Sequence, residues 1–223
     1  MSGYAVKIES IIVGTNTFHI RSLKDLQQFS DPDGEAQASG ISSAHWSLFG
    51  VLWPSGQVLA EAMQTFPLKG KKILEIGCGL AVASLVMHQR GGDVTASDYH
   101  PMAESFLRQN IHLNHLPPIK FHLADWFKRN PSLGRFDLIV GSDVLYERSH
   151  AKGLASFIRR HSNADAEVVI VDAIRGHHNH FSRAMVALGF SHMPSCSEVD
   201  ETHGEAFRRR ILTYHLDPMP LTD

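Results

Sequence analysis

From residue 71 onward the chain alternates short apolar runs with longer amphipathic stretches, and no other feature narrows its fold so far. The apolar runs lie at 72–76, 93–97, 119–123, 136–141 and 167–172, with helix-patterned segments between them at about 80–90, 101–114, 150–161 and 178–188. Phe136-Asp137-Leu138-Ile139-Val140 and Val168-Val169-Ile170-Val171 are nearly continuous in apolar character, as strands covered by helices on both faces must be. Such a strand–helix repeat builds a parallel sheet with right-handed crossovers. After Gly189 the texture changes, and 190–197 and 206–216 read as two further strands separated by a turn-rich stretch. The expectation is an α/β fold: one doubly wound, mostly parallel, seven-stranded sheet with an antiparallel C-terminal edge.

The chain has 223 residues, enough for one sizeable core. Residues 4–20 are β-rich, with Val6, Ile8, Ile11, Ile12, Val13, Phe18 and Ile20 interrupted by Gly14-Thr15-Asn16, the signature of a hairpin. Residues 30–45 are polar and rich in Gly, Ser and Asp, which reads as a loop or lid. Pro54 follows Trp53 and suits the first turn of a helix whose apolar positions Val58, Leu59 and Ala62 repeat at helical spacing. A single domain is expected over 1–223, with 1–49 as a small β-rich N-terminal extension and 50–216 as the core.

Bulk properties exclude several classes. Hydrophobic residues make up 43% and charged residues 20%, ordinary for a soluble globular protein. A formal charge of -2 argues against a general nucleic-acid-binding surface. The one dense basic cluster, Arg208-Arg209-Arg210, falls in an expected strand, where alternate residues point to opposite faces. Cys78 and Cys196 are far apart and give neither a disulfide framework nor a CxxC metal pair. The first residues lack the apolar core of a signal peptide, and no apolar stretch nears the roughly 20 residues that cross a bilayer. A reduced, cytoplasmic setting without membrane contact is the default expectation.

In open α/β sheets ligands bind at the carboxyl ends of the strands. The first such end is Glu75-Ile76-Gly77-Cys78-Gly79-Leu80-Ala81, where glycines allow a sharp turn and close approach of a ligand to the backbone. Alone, this GxG pattern is compatible with a structural turn, a dinucleotide or another adenosine cofactor. Asp98 lies 21 positions after Gly77, at the end of the second strand, where a carboxylate can accept hydrogen bonds from ribose hydroxyls. The third glycine of the dinucleotide pattern is replaced by Val82. Glu75 would repel a pyrophosphate but tolerate an ammonium or a sulfonium. Both facts favour S-adenosylmethionine over NAD.

Asp125-Trp126 follows the third strand, where the carboxylate could meet an adenine amino group and the indole could stack on the ring. Ser142-Asp143-Val144-Leu145-Tyr146 closes the fourth. Acidic residues thus stand at four strand ends: Glu75, Asp98, Asp125 and Asp143. For any one of them helix capping is the competing explanation. For four together a ligand is the better one, since a buried carboxylate without a partner is costly.

The stretch from Trp53 to Tyr146 resembles the seven-strand S-adenosylmethionine-dependent methyltransferases, which share a Rossmann-like fold. More narrowly it resembles methyltransferase family 16, the lysine-methyltransferase-like group. Leu52-Trp53-Pro54-Ser55-Gly56, the glycine loop after Leu74-Glu75, and Asp143-Val144-Leu145-Tyr146 as an Asp-x-x-Tyr motif carry the narrower likeness. The resemblance implies cofactor contacts at Trp53, Gly77, Cys78, Gly79, Asp98, Trp126 and Ser142, and an acceptor site bordered by Asp143 and Tyr146. It also implies a protein substrate methylated on lysine. A departure lies at Leu80-Ala81-Val82, where many relatives place a small or polar residue and Gly.

Fold alone does not settle the acceptor. A small-molecule N-methyltransferase and a cofactor-binding protein without transferase activity stay open as alternatives. His177, His178 and His180 cluster after the fifth strand, but no Cys or carboxylate set accompanies them, so no metal site is expected. They are read as a solvated loop or as part of the substrate mouth.

Overall fold

The computed structural model describes residues 3–145, 150–174, 176–193, 197–200 and 207–217, with the backbone alone for 197–200 and 207–209. The chain opens with a hairpin, β1 (Val6–Val13) and β2 (Asn16–Leu23), paired antiparallel from Val6↔Leu23 to Val13↔Asn16. Its period-2 pattern buries Ile11, Val13, Phe18 and Ile20 and leaves Ile8 and Ile12 exposed. Burying each large apolar side chain contributes about 1.5–3 kcal/mol. The polar stretch read as a loop or lid holds two single-turn helices, α1 (Glu35–Ala38) and α2 (Ser43–Trp46), followed by a 3-10 turn at Ser47–Gly50. Ala36, Trp46 and Phe49 anchor this stretch in the core.

Helix α3 (Pro54–Thr65) begins on Pro54 as expected, with Trp53 as its extended N-cap. The alternating units follow: β3 (Lys72–Ile76), α4 (Val82–Gln89), β4 (Asp93–Asp98), α5 (Ala103–Leu113), β5 (Lys120–Leu123), β6 (Phe136–Ser142), α6 (His150–His161), β7 (Ser162–Asp172) and α7 (His178–Ala187). The last strands are β8 (Phe190–Met193), β9 (Ser197–Asp200) and β10 (Phe207–Leu216). The sheet order is β5-β4-β3-β6-β7-β10-β8, seven strands, with β9 paired to the first half of β10. The five strands from β5 to β7 are parallel. Strand β10 runs antiparallel to both neighbours, so the antiparallel member sits one place in from the edge.

Two details differ from the sequence pattern. Strand β7 starts five residues early, at Ser162, directly after α6. Its polar start is irregular: Phe136 pairs Ser162 but Leu138 pairs Glu167, so the extra residues bulge out of the ladder. The second departure is at 190–197, where β8 ends at Met193 and a separate strand, β9, begins at Ser197 and pairs with another part of β10.

The alternation of side chains along each strand sorts the core into two layers. Ile73, Leu138, Val140, Val169 and Val171 pack with the hairpin and with α3, α4 and α5. Leu74, Ile76, Ile139, Val168 and Ile170 pack with α6 and α7. The hairpin docks on α5 through two asparagines one turn apart. Asn110 accepts from the Arg21 N–H at 2.7 Å. Asn114 accepts from the His19 N–H at 2.8 Å and donates to the His19 carbonyl at 2.8 Å. Among the described residues no helix is long and apolar enough to cross a membrane.

Candidate active site

Strands β3, β4, β6 and β7 are parallel, so their carboxyl ends gather on one rim. At the first of these ends the backbone alternates into the left-handed region at Gly77 (φ 58°), Gly79 (φ 52°) and Ala81 (φ 59°). A side chain could not replace two of these hydrogens. A Cβ on Gly77 would lie 2.9 Å from Val144 and 3.5 Å from the Trp126 ring, and one on Gly79 would lie 2.8 Å from the Phe49 carbonyl oxygen. The loop is thus pinched between the ends of β5 and β6 on one side and the 3-10 turn on the other. The Leu80-Ala81-Val82 departure does not prevent the turn. Ala81 adopts the conformation a glycine would, as N-cap of α4, and its N–H donates to the Cys78 carbonyl at 2.7 Å.

The glycine loop is held from β4. Asp98 accepts the Gly79 N–H at 2.7 Å through Oδ2 and the His100 N–H at 2.8 Å through Oδ1. The Cys78 N–H donates to the Ser97 carbonyl at 2.9 Å. Burial pushes the Asp98 carboxyl up, and the N–H groups of His100, Gly79 and Tyr99 pull it partly back. The Cys78 side chain is buried, and burial raises its thiol above the ordinary range. What Cys78 offers the rim is therefore its backbone.

Glu75 shares a strand face with Ile73, and that face is covered by α4. Its carboxylate accepts from the Ser84 N–H at 2.8 Å and from the Ser84 hydroxyl, beneath the loop at the start of α4. Burial raises its carboxyl to about 7, the Ser84 bonds lower it, and the nearby Asp98 raises it again. Carboxylate and helix start favour each other, because a helix N-terminus carries unpaired N–H groups and the positive end of the dipole.

The remaining sequence-predicted residues are placed differently. Trp126 lies against Gly77, as noted, and edge-on to His150 with ring centroids 6.0 Å apart. Ser142 ends β6, with its hydroxyl 3.6 Å from where a Cβ on Gly56 of α3 would stand. Trp53 donates its indole N–H to the Leu48 carbonyl at 2.8 Å, which ties the start of α3 to the 3-10 turn. These three join the glycine loop and Asp98 on the same rim. Asp125 is engaged locally, in a turn with no helix to cap: it accepts the Phe127 N–H at 2.9 Å and meets Lys128 at 3.3 Å. Asp143 has φ 52° and donates its N–H to the Val171 carbonyl at 2.9 Å. Tyr146 lies outside the described residues.

Residues the sequence reading did not single out also stand here. Phe49 closes over the glycine loop and stacks on His100 with ring centroids 3.9 Å apart. Burial drives the His100 imidazole down to about 4, with Asp31 acting weakly in the other direction. A fifth carboxylate, Asp172, ends β7 and is almost wholly buried. Its signal was the one that marked the other four, an acid at the end of an apolar strand. Among the described residues no group of three or more His, Cys, Asp or Glu could hold a metal ion.

The fold that carries this rim is shared with known proteins. The structure superposes on magnesium protoporphyrin IX methyltransferase from Synechocystis with a TM-score of 0.59 at 19% identity, covering 72% of this chain and 78% of that one. It matches the T. thermophilus 16S rRNA N2 G1207 methyltransferase with a TM-score of 0.63 at 14% identity, over 94% of this chain and 50% of that one. Both likenesses concern the fold. In sequence the chain is 28% identical over 130 residues to the electron transfer flavoprotein beta subunit lysine methyltransferase of Danio rerio, 57% of this chain and 48% of that protein. It is 30% identical over 146 residues to protein N-lysine methyltransferase METTL21A of Danio rerio, 60% of this chain and 66% of that protein. The chain thus spans about half the length of the first of these relatives. Residues 42–186, which include the rim from Trp53 to Asp172, match the lysine methyltransferase family model, and the chain belongs to that family.

Proposed function

We propose that this chain transfers a methyl group from S-adenosylmethionine to the side-chain nitrogen of a lysine in a protein substrate. The observation that carries the reading is the glycine loop, left-handed at Gly77 and Gly79 and fastened to Asp98, with Trp126 lying against it. Membership of the lysine methyltransferase family supports the choice of acceptor.

The residues suit this donor. A carboxylate has about four acceptor positions, and the backbone N–H groups of Gly79, His100 and Tyr99 engage only part of that capacity at Asp98, which leaves room for a ribose hydroxyl. Trp126 offers a flat apolar face at the next strand end for an adenine ring, and Asp125 stands beside it. Trp53, Ser142 and the backbone of Cys78 complete the rim. Glu75 lies under the loop, where its negative charge favours a cationic ligand over a phosphate. The donor supplies a methyl carbon already activated by its sulfonium. The protein's part is to align the attacking nitrogen and keep water out. Asp143, in a sparsely populated backbone conformation held by Val171, orients the acceptor amine. Tyr146 helps form the channel by which it enters.

Calorimetry with the donor and its demethylated product tests the binding half of the reading. Tight binding of both is expected, with at least a tenfold loss in Asp98→Ala; failure of either to bind overturns it. Tritiated donor added to cell lysate tests the acceptor. Labelled protein that loses its label in Asp143→Ala supports the proposal, undiminished labelling removes Asp143 from the mechanism, and binding without any labelled protein favours a small-molecule acceptor.

A further inference from the structure

The far end of the rim carries a pair of groups that the cofactor site does not use. Asp172 is the last residue of β7 and alternates with Val168 and Ile170, so it faces the layer of α6 and α7. It is 2% exposed. His178 is the first residue of α7, and its Nδ1 lies 3.8 Å from Asp172 Oδ2. Both atoms are shielded from solvent, and among the described residues neither has a hydrogen-bond partner. Leaving a buried polar atom unsatisfied is costly, and here two such atoms face one another across a gap slightly too long for a bond. Catalytic hydrogen bonds are often long in the free enzyme and tighten when substrate binds.

The position bears on the acceptor. Ser142 and Val171 are paired across β6 and β7, so the next residues, Asp143 and Asp172, are neighbours at adjacent strand tips. The Asp143 N–H donates to the Val171 carbonyl, which fixes that neighbourhood. The side chain of His178 is 16% exposed. Because Nδ1 itself is covered, that exposure belongs to its other atoms.

We propose that Asp172 and His178 form a dyad in which Asp172 accepts the Nδ1 proton and leaves Nε2 of His178 as the base for the incoming lysine ammonium. The inference rests on the lysine reading given above. In the step, the ammonium N–H bond breaks, its proton forms a bond to Nε2, and the electron pair left on nitrogen attacks the methyl carbon. The carbon–sulfur electrons leave with the donor sulfur, the product is a methylated ammonium, and the imidazolium afterwards returns its proton to water. Asp172 is a positioning residue, since it acts through the imidazole. Such an orienting carboxylate also stabilises the imidazolium.

The surroundings keep His178 neutral beforehand. Burial and the Arg210 guanidinium of β10 lower it, and Asp172 opposes them. Asp172 in turn is raised by burial and by Asp143, and lowered by His178, the Ile174 N–H and Arg210. Burial pushes the Tyr214 hydroxyl up to about 12, with its bond to Ser182 lowering it and Asp172 raising it.

Two measurements decide the matter. In a nitrogen-15 imidazole titration, His178 is expected as the Nδ1–H tautomer, and Asp172→Asn should lower its pKa. A Nε2–H tautomer, or a pKa that Asp172→Asn leaves in place, overturns the dyad. In single-turnover labelling of the protein substrate, His178→Gln should slow methyl transfer about 10²-fold at neutral pH and recover towards wild type as alkaline pH frees the amine. Donor affinity should not change. A variant that transfers at the wild-type rate, or whose deficit is the same at every pH, overturns the role as base. If wild type labels no lysine, the acceptor reading and the base role fail together, while the titration still decides the dyad.

Discussion

Ala81 occupies a left-handed conformation at the start of α4, a region that costs an L-residue roughly 1 kcal/mol and glycine almost nothing. Ala81→Gly is therefore expected to stabilise the protein by about 0.5–1 kcal/mol in urea unfolding. Glu75 makes a sharper case. Between its ordinary value of 4.5 and about 7, the folded state holds a proton that the unfolded chain has released. Stability from this group is full at low pH and is lost as pH rises through that window. Glu75→Gln keeps an acceptor for Ser84 without the charge, and at pH 8 it should be more stable than wild type by about 1–3 kcal/mol. The same variant should bind the donor more weakly. It should also lose the proton release that a cation near Glu75 causes at neutral pH, which calorimetry in buffers of different ionisation enthalpy detects. Equal proton release in both proteins would disconnect Glu75 from the cofactor.

At the scale of elements, α5 holds the hairpin with side-chain amides that imitate a neighbouring strand. Asn110 is fully buried and also donates to the Leu80 carbonyl at 3.3 Å, so it links hairpin, helix and glycine loop. Asn110→Ala leaves the Arg21 N–H without its partner and should cost about 1–3 kcal/mol. Asn114→Ala, at a more solvated position, should cost about 1 kcal/mol or less. Hydrogen exchange at the Arg21 and His19 amides reports each loss separately. This docking was not legible in the sequence. The hairpin was, through its alternation and the break at Gly14-Thr15, because period-2 burial is a local signal. Its berth depends on polar atoms roughly 90 positions away, and no local pattern encodes that. The parallel strands were legible for the same local reason, while the early start of β7 was hidden by Asn163, Asp165 and Glu167. At the site, the glycines and Asp98 could be read because strand tips are where acids and glycines are unusual. Phe49 could not, since nothing in the order of residues says which aromatic folds back over a loop 30 positions later.

Over the whole molecule the buried titratable groups pull in opposite directions. His100 is held down to about 4 from an ordinary 6.5, so its contribution is present above 6.5 and is lost as pH falls through about 4. Glu75 loses its contribution as pH rises from 4.5 to about 7. The two slopes cancel in large part between pH 4.5 and 6.5. Wild type should therefore show a flat stability profile there, His100→Asn a fall with rising pH, and Glu75→Gln a fall with acidification. Urea midpoints across that range check all three. A steep wild-type profile matched by both variants would place the titration elsewhere.

Strand β10 is made after β8 and β9, yet it belongs inside the sheet between β7 and β8. During synthesis β7 therefore waits with an unpaired flank, although the helices that cover its two faces are already complete. An open strand edge is a template for any other extended chain. The hazard for this protein is thus one of timing: aggregation during production should depend on how soon β10 is delivered after α7, and chains halted before Phe207 should be the ones that clump.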